Sequence, residues 1–191
     1  MRGEGTMHVK TTTVETTKEE LMERARELGF QYEAQSAYCP QATLAALMDV
    51  FHVRDDILFR SLFGFHGGGG DSHDGACGSL CAGTAMISYF FGRTRTEFDL
   101  RMHNCEATGI VKRLHEMFEA EYGGIRCRDV QKKMFGREFD VWKEEDLKTF
   151  LEMGGHDTKC PEVVGKGAMW AAGLIWDELS REERVKRVRV D

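Results

Sequence analysis

Apolar residues recur at three- and four-residue intervals along most of the chain, and glycine, proline or a capping residue marks the breaks. Thr17-Lys18-Glu19-Glu20 is a capping box that predicts a helix from 17 to about 28, with Gly29 as its stop. Residues 31–37 lead into Cys39, and 40–53 reads as a second helix with Leu44, Ala45, Met48 and Phe51 on its apolar side. Asp55 or Asp56 starts a third, through Ile57, Leu58, Leu62 and Phe63, ending near Gly64. A glycine run, Gly67-Gly68-Gly69-Gly70, follows. Next comes a helical stretch over 78–91 without a single charge from Cys77 to Gly92. Its small residues suit close helix contact, which predicts a central position.

Thr94 or Thr96 caps a helical region over 97–121, interrupted near Asn104 and Gly109, with Ile110, Leu114, Met117 and Phe118 as its apolar stripe. Gly123-Gly124 ends it. Shorter helices follow over 127–135, stopped by Gly136, and over 144–153, stopped by Gly154-Gly155. The last helix, 161 to about 179, carries Gly165, Gly167, Ala168, Ala171, Ala172 and Gly173 and is expected to pack against the Cys77 helix. Only 8–14 and 185–190 have strand-like patterns, and they could pair. The expectation is an all-α chain: one compact helical domain over 17–180 with a central small-residue helix pair. A poorly ordered segment over 1–16 and a tail over 181–191 flank it.

Charge changes the picture by exclusion. The 191-residue chain carries 26 Lys and Arg against 32 Asp and Glu, a net charge of −6, with its basic residues scattered. No concentrated basic face is available for nucleic acid. No apolar run approaches the ~18 residues of a membrane span. The opening residues Met1 to Thr6 lack the apolar centre of a signal peptide. A cytoplasmic location is therefore expected, where stable disulfides are uncommon. The six cysteines then read as metal-binding, catalytic or buried residues rather than bridges.

Four of them share a local pattern. The chain has two prolines, and each follows a cysteine, in Cys39-Pro40 and Cys160-Pro161. Proline suits the first position of a helix, so each pair predicts a cysteine at the N-cap. Cys77 and Cys127 also stand where glycine-rich breaks give way to helices. A helix N-terminus lowers a thiol pKa, which predicts enhanced thiolate character at all four. Converging thiolates suit an iron–sulfur cluster, a zinc ion or a pair of redox-active dithiols. Spacing does not choose among these, since the chain holds no Cys-x-x-Cys and no Cys-x-x-Cys-His for covalent haem. Cys81 and Cys105 lack a helix-start signature and read as small core residues. His66 and His73 flank the glycine loop and read first as solvated histidines; His103, His115 and His156 carry nothing sharper.

The order of these stretches resembles the C_GCAxxG_C_C family of redox-active proteins, a domain also seen in split-Soret cytochrome c. The matching stretches are Tyr38-Cys39-Pro40-Gln41-Ala42, the glycine run followed by Cys77-Gly78-Ser79-Leu80, Gly124-Ile125-Arg126-Cys127-Arg128, and Cys160-Pro161-Glu162-Val163-Val164. The likeness spans about 17–180. Ser79 stands where the family has alanine, its glycine falls on Ala82 with Gly83 one residue later, and Cys81 replaces a small residue. The resemblance implies redox activity and, through the cytochrome relatives, an iron–sulfur cluster; their haem does not carry over. The expected site is Cys39, Cys77, Cys127 and Cys160 as redox-active and metal-ligating thiols, with Gly69, Gly70, Gly78 and Cys81 as cofactor contacts. The leading expectation is a cluster exchanging electrons with a partner protein, whether the chain acts alone or as a homodimer. A cofactor-free thiol/disulfide protein and a zinc-stabilised protein-binding module are the alternatives.

Overall fold

A computed structural model describes residues 16–103 and 106–181. These residues form an all-α fold of nine α-helices with no strand among them: α1 (Lys18–Ser36), α2 (Cys39–Val50), α3 (Asp56–Ser61), α4 (Gly78–Phe91), α5 (Arg95–Asp99), α6 (Glu106–Tyr122), α7 (Cys127–Phe135), α8 (Glu144–Glu152) and α9 (Cys160–Leu179). The predicted end strands and the break at Asn104 lie outside the described residues.

Local chemistry sets most of the boundaries. The Thr17 hydroxyl accepts from the Glu20 N–H at 3.2 Å while the Glu20 carboxylate accepts from the Thr17 N–H at 2.8 Å, which opens α1. Thr94 and Glu97 repeat the arrangement at α5. Asp55 caps α3 through the Leu58 N–H. Gly136, at φ +77°, ends α7 in the left-handed conformation.

Gly29 corrects one expectation. It does not stop α1, which continues to Ser36 and ends at a left-handed Ala37. A Cβ on Gly29 would stand 3.1 Å from the Val164 carbonyl oxygen, 3.2 Å from the Ala168 Cβ and 3.3 Å from the Gly165 Cα. The residue is a contact point between α1 and α9. Gly165 answers from the other side, where a Cβ would meet the Arg26 carbonyl oxygen at 2.9 Å. The two backbones approach as closely as helices without side chains at the crossing allow.

The expected pairing of α9 with α4 is present too. Gly167 sits directly against the Ser79 side chain, and a Cβ on Gly83 would stand 3.2 Å from that of Ala171. Around this core lie Leu44, Leu47, Leu80, Met86, Ile87, Leu114, Phe118 and Ile175, each all but fully buried. Burial of such a side chain contributes roughly 1.5–3 kcal/mol. No helix of the described residues is long and apolar enough to cross a membrane.

Candidate functional site

The four cysteines do open helices, although only Cys77 occupies an N-cap. Cys39, Cys127 and Cys160 are the first helical residues of α2, α7 and α9, one place further in than expected. Tyr38 and Arg126 precede the first two as N-caps, whereas Lys159 before Cys160 is itself helical, because the π-helical turn Gly155–Lys159 runs straight into α9. At α7 the capping is explicit, since Asp129 accepts from both the N–H and the guanidinium of Arg126.

Glycines bring these helix starts together. A Cβ on Gly78 would stand 2.6 Å from the Cys39 Sγ and 2.7 Å from the Pro40 Cδ, so α4 can begin against the start of α2 only without one. Gly68 does the same for α7, with φ at +74° and a Cβ that would lie 2.9 Å from that of Cys127. The loop then ties the Cys77 and Cys127 stretches of chain together. Cys127 N–H donates to the Gly75 carbonyl at 3.0 Å, Cys77 N–H to Ile125 at 2.8 Å, and Arg128 N–H to His73 at 3.0 Å.

Cys39, Cys77, Cys127 and Cys160 line one cavity of about 330 Å³, together with Glu33, His66, His73 and His156 and an apolar wall that includes Val130 and Phe150. None of these cysteines is in a disulfide. Gly69 and Gly70 fall outside the lining: both are exposed with φ above +50°, and the space beside them is open or nearly so. Cys81 is also off the cavity wall, its thiol facing the Ala76 carbonyl oxygen at 3.8 Å. Cys105 lies outside the described residues.

Electrostatics reverses the expected thiolate character. Burial pushes the Cys77 thiol up to about 12, although the Ser79 and Leu80 N–H groups at the helix start pull the other way. Burial likewise drives Cys39, Cys127 and Cys160 far above the ordinary thiol range, reinforced by neighbouring charge from Glu33 at Cys39 and Cys160 and by the other thiols. Three of the four keep some surface open to the cavity, yet loss of solvent outweighs a helix end worth half a charge. Without a cation the cavity favours neutral thiols.

Two lining residues had drawn no functional reading from the sequence. Glu33 is 1% exposed at the last turn of α1; His156 Nδ1 donates to its Oε1 at 3.3 Å, and its Oε2 has no hydrogen-bond partner among the described residues. Donor atoms of Glu33, His156 and Cys160 all lie within 4.8 Å of one another. The one sequence signal was weak: an acidic residue near a helix C-terminus, where the dipole disfavours it. The other cavity histidines are more committed. His66 donates to the Phe63 carbonyl oxygen at 2.8 Å and pairs with Asp71 at 3.3 Å, while burial lowers the pKa of His73.

Four cysteines from four helix starts of this all-α fold thus share one cavity. The family model described as "Putative redox-active protein (C_GCAxxG_C_C)" matches residues 37–174, and the chain belongs to that family. No curated protein and no solved structure matches it significantly.

Proposed function

We propose that Cys39, Cys77, Cys127 and Cys160 hold an iron–sulfur cluster and that the protein passes single electrons to or from a partner protein in the cytoplasm. The observation that carries this reading is the meeting of four unbridged thiols from four helix starts on one cavity, with burial raising every one of them. Such thiols lose their protons readily only to a cationic core, and soft sulfur donors select iron–sulfur or zinc over hard cations. A tetrahedral zinc tetrathiolate needs sulfurs about 3.8 Å apart. The donor trio found within 4.8 Å among the described residues includes a single sulfur.

When bound, such a cluster supplies a one-electron couple. The chain's own residues would set its conditions. The apolar wall excludes water, the Ser79 and Leu80 N–H groups point partial positive charge at the Cys77 sulfur, and the rigid helix starts hold the four thiolates through the redox cycle.

Anaerobic purification or reconstitution with iron and sulfide tests the reading. Brown protein with visible absorption, bleached by Cys→Ser at each of the four positions, is the expected result. Colourless protein binding one zinc, or metal-free protein whose free thiols fall reversibly on oxidation, overturns it.

A further inference from the structure

We propose that Glu33, His156 and Cys160 form a binding site for a single borderline divalent cation, of the zinc and ferrous-iron kind, at the edge of the thiol cavity. The site draws on three separate elements. Glu33 belongs to the last turn of α1, His156 to the π-helical turn Gly155–Lys159, and Cys160 to the first turn of α9. Close contact of α1 and α9 at Gly29, Val164 and Gly165 brings Glu33, one turn beyond Gly29, to the Cys160 end of α9. His156 is held by its ring, edge-on to Phe150 with centroids 5.1 Å apart, and its Nδ1 faces Glu33.

Two independent observations point to a ligand. The three donors lie within 4.8 Å of one another, about an ångström beyond the spacing around a tetrahedral zinc. Glu33 is also 99% shielded (1% exposed), with one carboxylate oxygen lacking any partner among the described residues. A buried carboxylate oxygen without a partner is costly, and a metal ion satisfies it. On binding, Glu33, one nitrogen of His156 and the Cys160 sulfur each donate a lone pair. The Cys160 proton leaves to solvent, and the fourth position stays open for water. One carboxylate, one imidazole and one thiolate suit zinc or ferrous iron and disfavour calcium or magnesium.

This site does not rest on the cluster reading. It uses one of the four cysteines and belongs to the cluster-free protein, since ion and cluster compete for the Cys160 thiolate. The test is titration of full-length, metal-free protein with Co²⁺, read by the thiolate-to-cobalt charge-transfer band and its d–d absorption. The expected result is one Co²⁺ per chain with a band of single-thiolate intensity. It should survive in Cys39→Ser/Cys77→Ser/Cys127→Ser protein and be displaced by Zn²⁺ or Fe²⁺ but not by Ca²⁺ or Mg²⁺. Glu33→Gln and His156→Gln, near in shape to the originals, should each weaken binding by about tenfold or more, and Cys160→Ser should abolish the band. A band of several-thiolate intensity that ignores Glu33→Gln and His156→Gln overturns the proposal, as does the absence of stoichiometric binding to the wild type. If the triple variant does not fold, the single variants in wild-type protein decide. Cobalt binding as described in a protein that never assembles a brown chromophore would leave this site standing and remove the cluster. A brown protein whose cluster-free form ignores Co²⁺ would do the reverse.

Discussion

Gly78→Ala probes the assembly of the thiol site most directly. An alanine Cβ there would stand 2.6 Å from the Cys39 Sγ, 2.7 Å from the Pro40 Cδ and 3.1 Å from the Phe65 carbonyl oxygen. Carbon–sulfur and carbon–carbon contacts settle near 3.5–4.0 Å, so α2 and α4 must part by about 1 Å or the Cys39 side chain must turn away. The proline ring and a backbone carbonyl bound two of the three contacts, which leaves little room for cheap relief. Overpacking of this kind costs about 1–3 kcal/mol, against a gain of up to about 1 kcal/mol from replacing glycine within a helix. The net expectation is a loss of about 1–2 kcal/mol, a fall of roughly 2–8 °C in Tm for a chain of this length. Gly109→Ala is the control, since its site in α6 is open and its φ is ordinary, so the same substitution should raise stability slightly. Thermal unfolding of both variants, with the colour or thiol reactivity of each, reads the comparison. A Gly78→Ala protein as stable as Gly109→Ala, with Cys39 reacting as in wild type, would refute the close meeting of the two helix starts.

Other outcomes follow from the same geometry. Cys81→Ser should leave any chromophore unchanged, whereas Cys127→Ser should remove it, because only the latter lines the cavity; visible spectra decide. Raised thiols also make the metal-free protein sensitive to alkali. The folded Cys77 pKa of about 12 exceeds the unfolded value of about 8.5, so its contribution is complete below about pH 8.5 and is lost as pH rises towards 12. Urea unfolding across that window should show stability falling by up to about 1.4 kcal/mol per pH unit for each such thiol, and Cys77→Ser should flatten the slope. A flat wild-type profile would contradict burial of the thiols. Glu178 is a buried carboxylate that pairs with Arg113 at 2.7 Å and with Arg181 at 2.9 Å. Arg113→Ala should cost about 1–2 kcal/mol in thermal unfolding, below the range for an isolated buried charge because the arginine is half exposed and Arg181 remains. An unchanged Tm would count against that pairing.

Much of the frame could be read from short stretches. The boundaries of α7 came out at 127–135 because Gly123-Gly124 and Gly136 bracket a helix too short to be placed otherwise. The capping box at Thr17 acts within four residues, so sequence alone suffices to find it, whereas the choice between Thr94 and Thr96 was left to the structure, which caps α5 with Thr94. The cysteine set was legible for the same reason, since each member's helix start is a local event.

Contacts between distant residues decided the rest. Gly29 carries a stop signal by composition, but α9 presses against it, and packing free energy overrode local preference. Four glycines in a row announce an unusual backbone, and Gly67–Gly70 all have positive φ; only the fold shows that Gly68 meets Cys127 while Gly69 and Gly70 face outward. Placing a thiol at a helix start implies a lowered pKa in the sequence, whereas depth within the cavity raises it, because desolvation depends on everything packed around the sulfur. Glu33 and His156 stand 123 residues apart and became neighbours only when α1 and α9 crossed at their glycines. The sequence by itself determined which residues begin helices and which of them are cysteines. Tertiary structure decided that those cysteines share one buried cavity and which carboxylate and imidazole stand beside them.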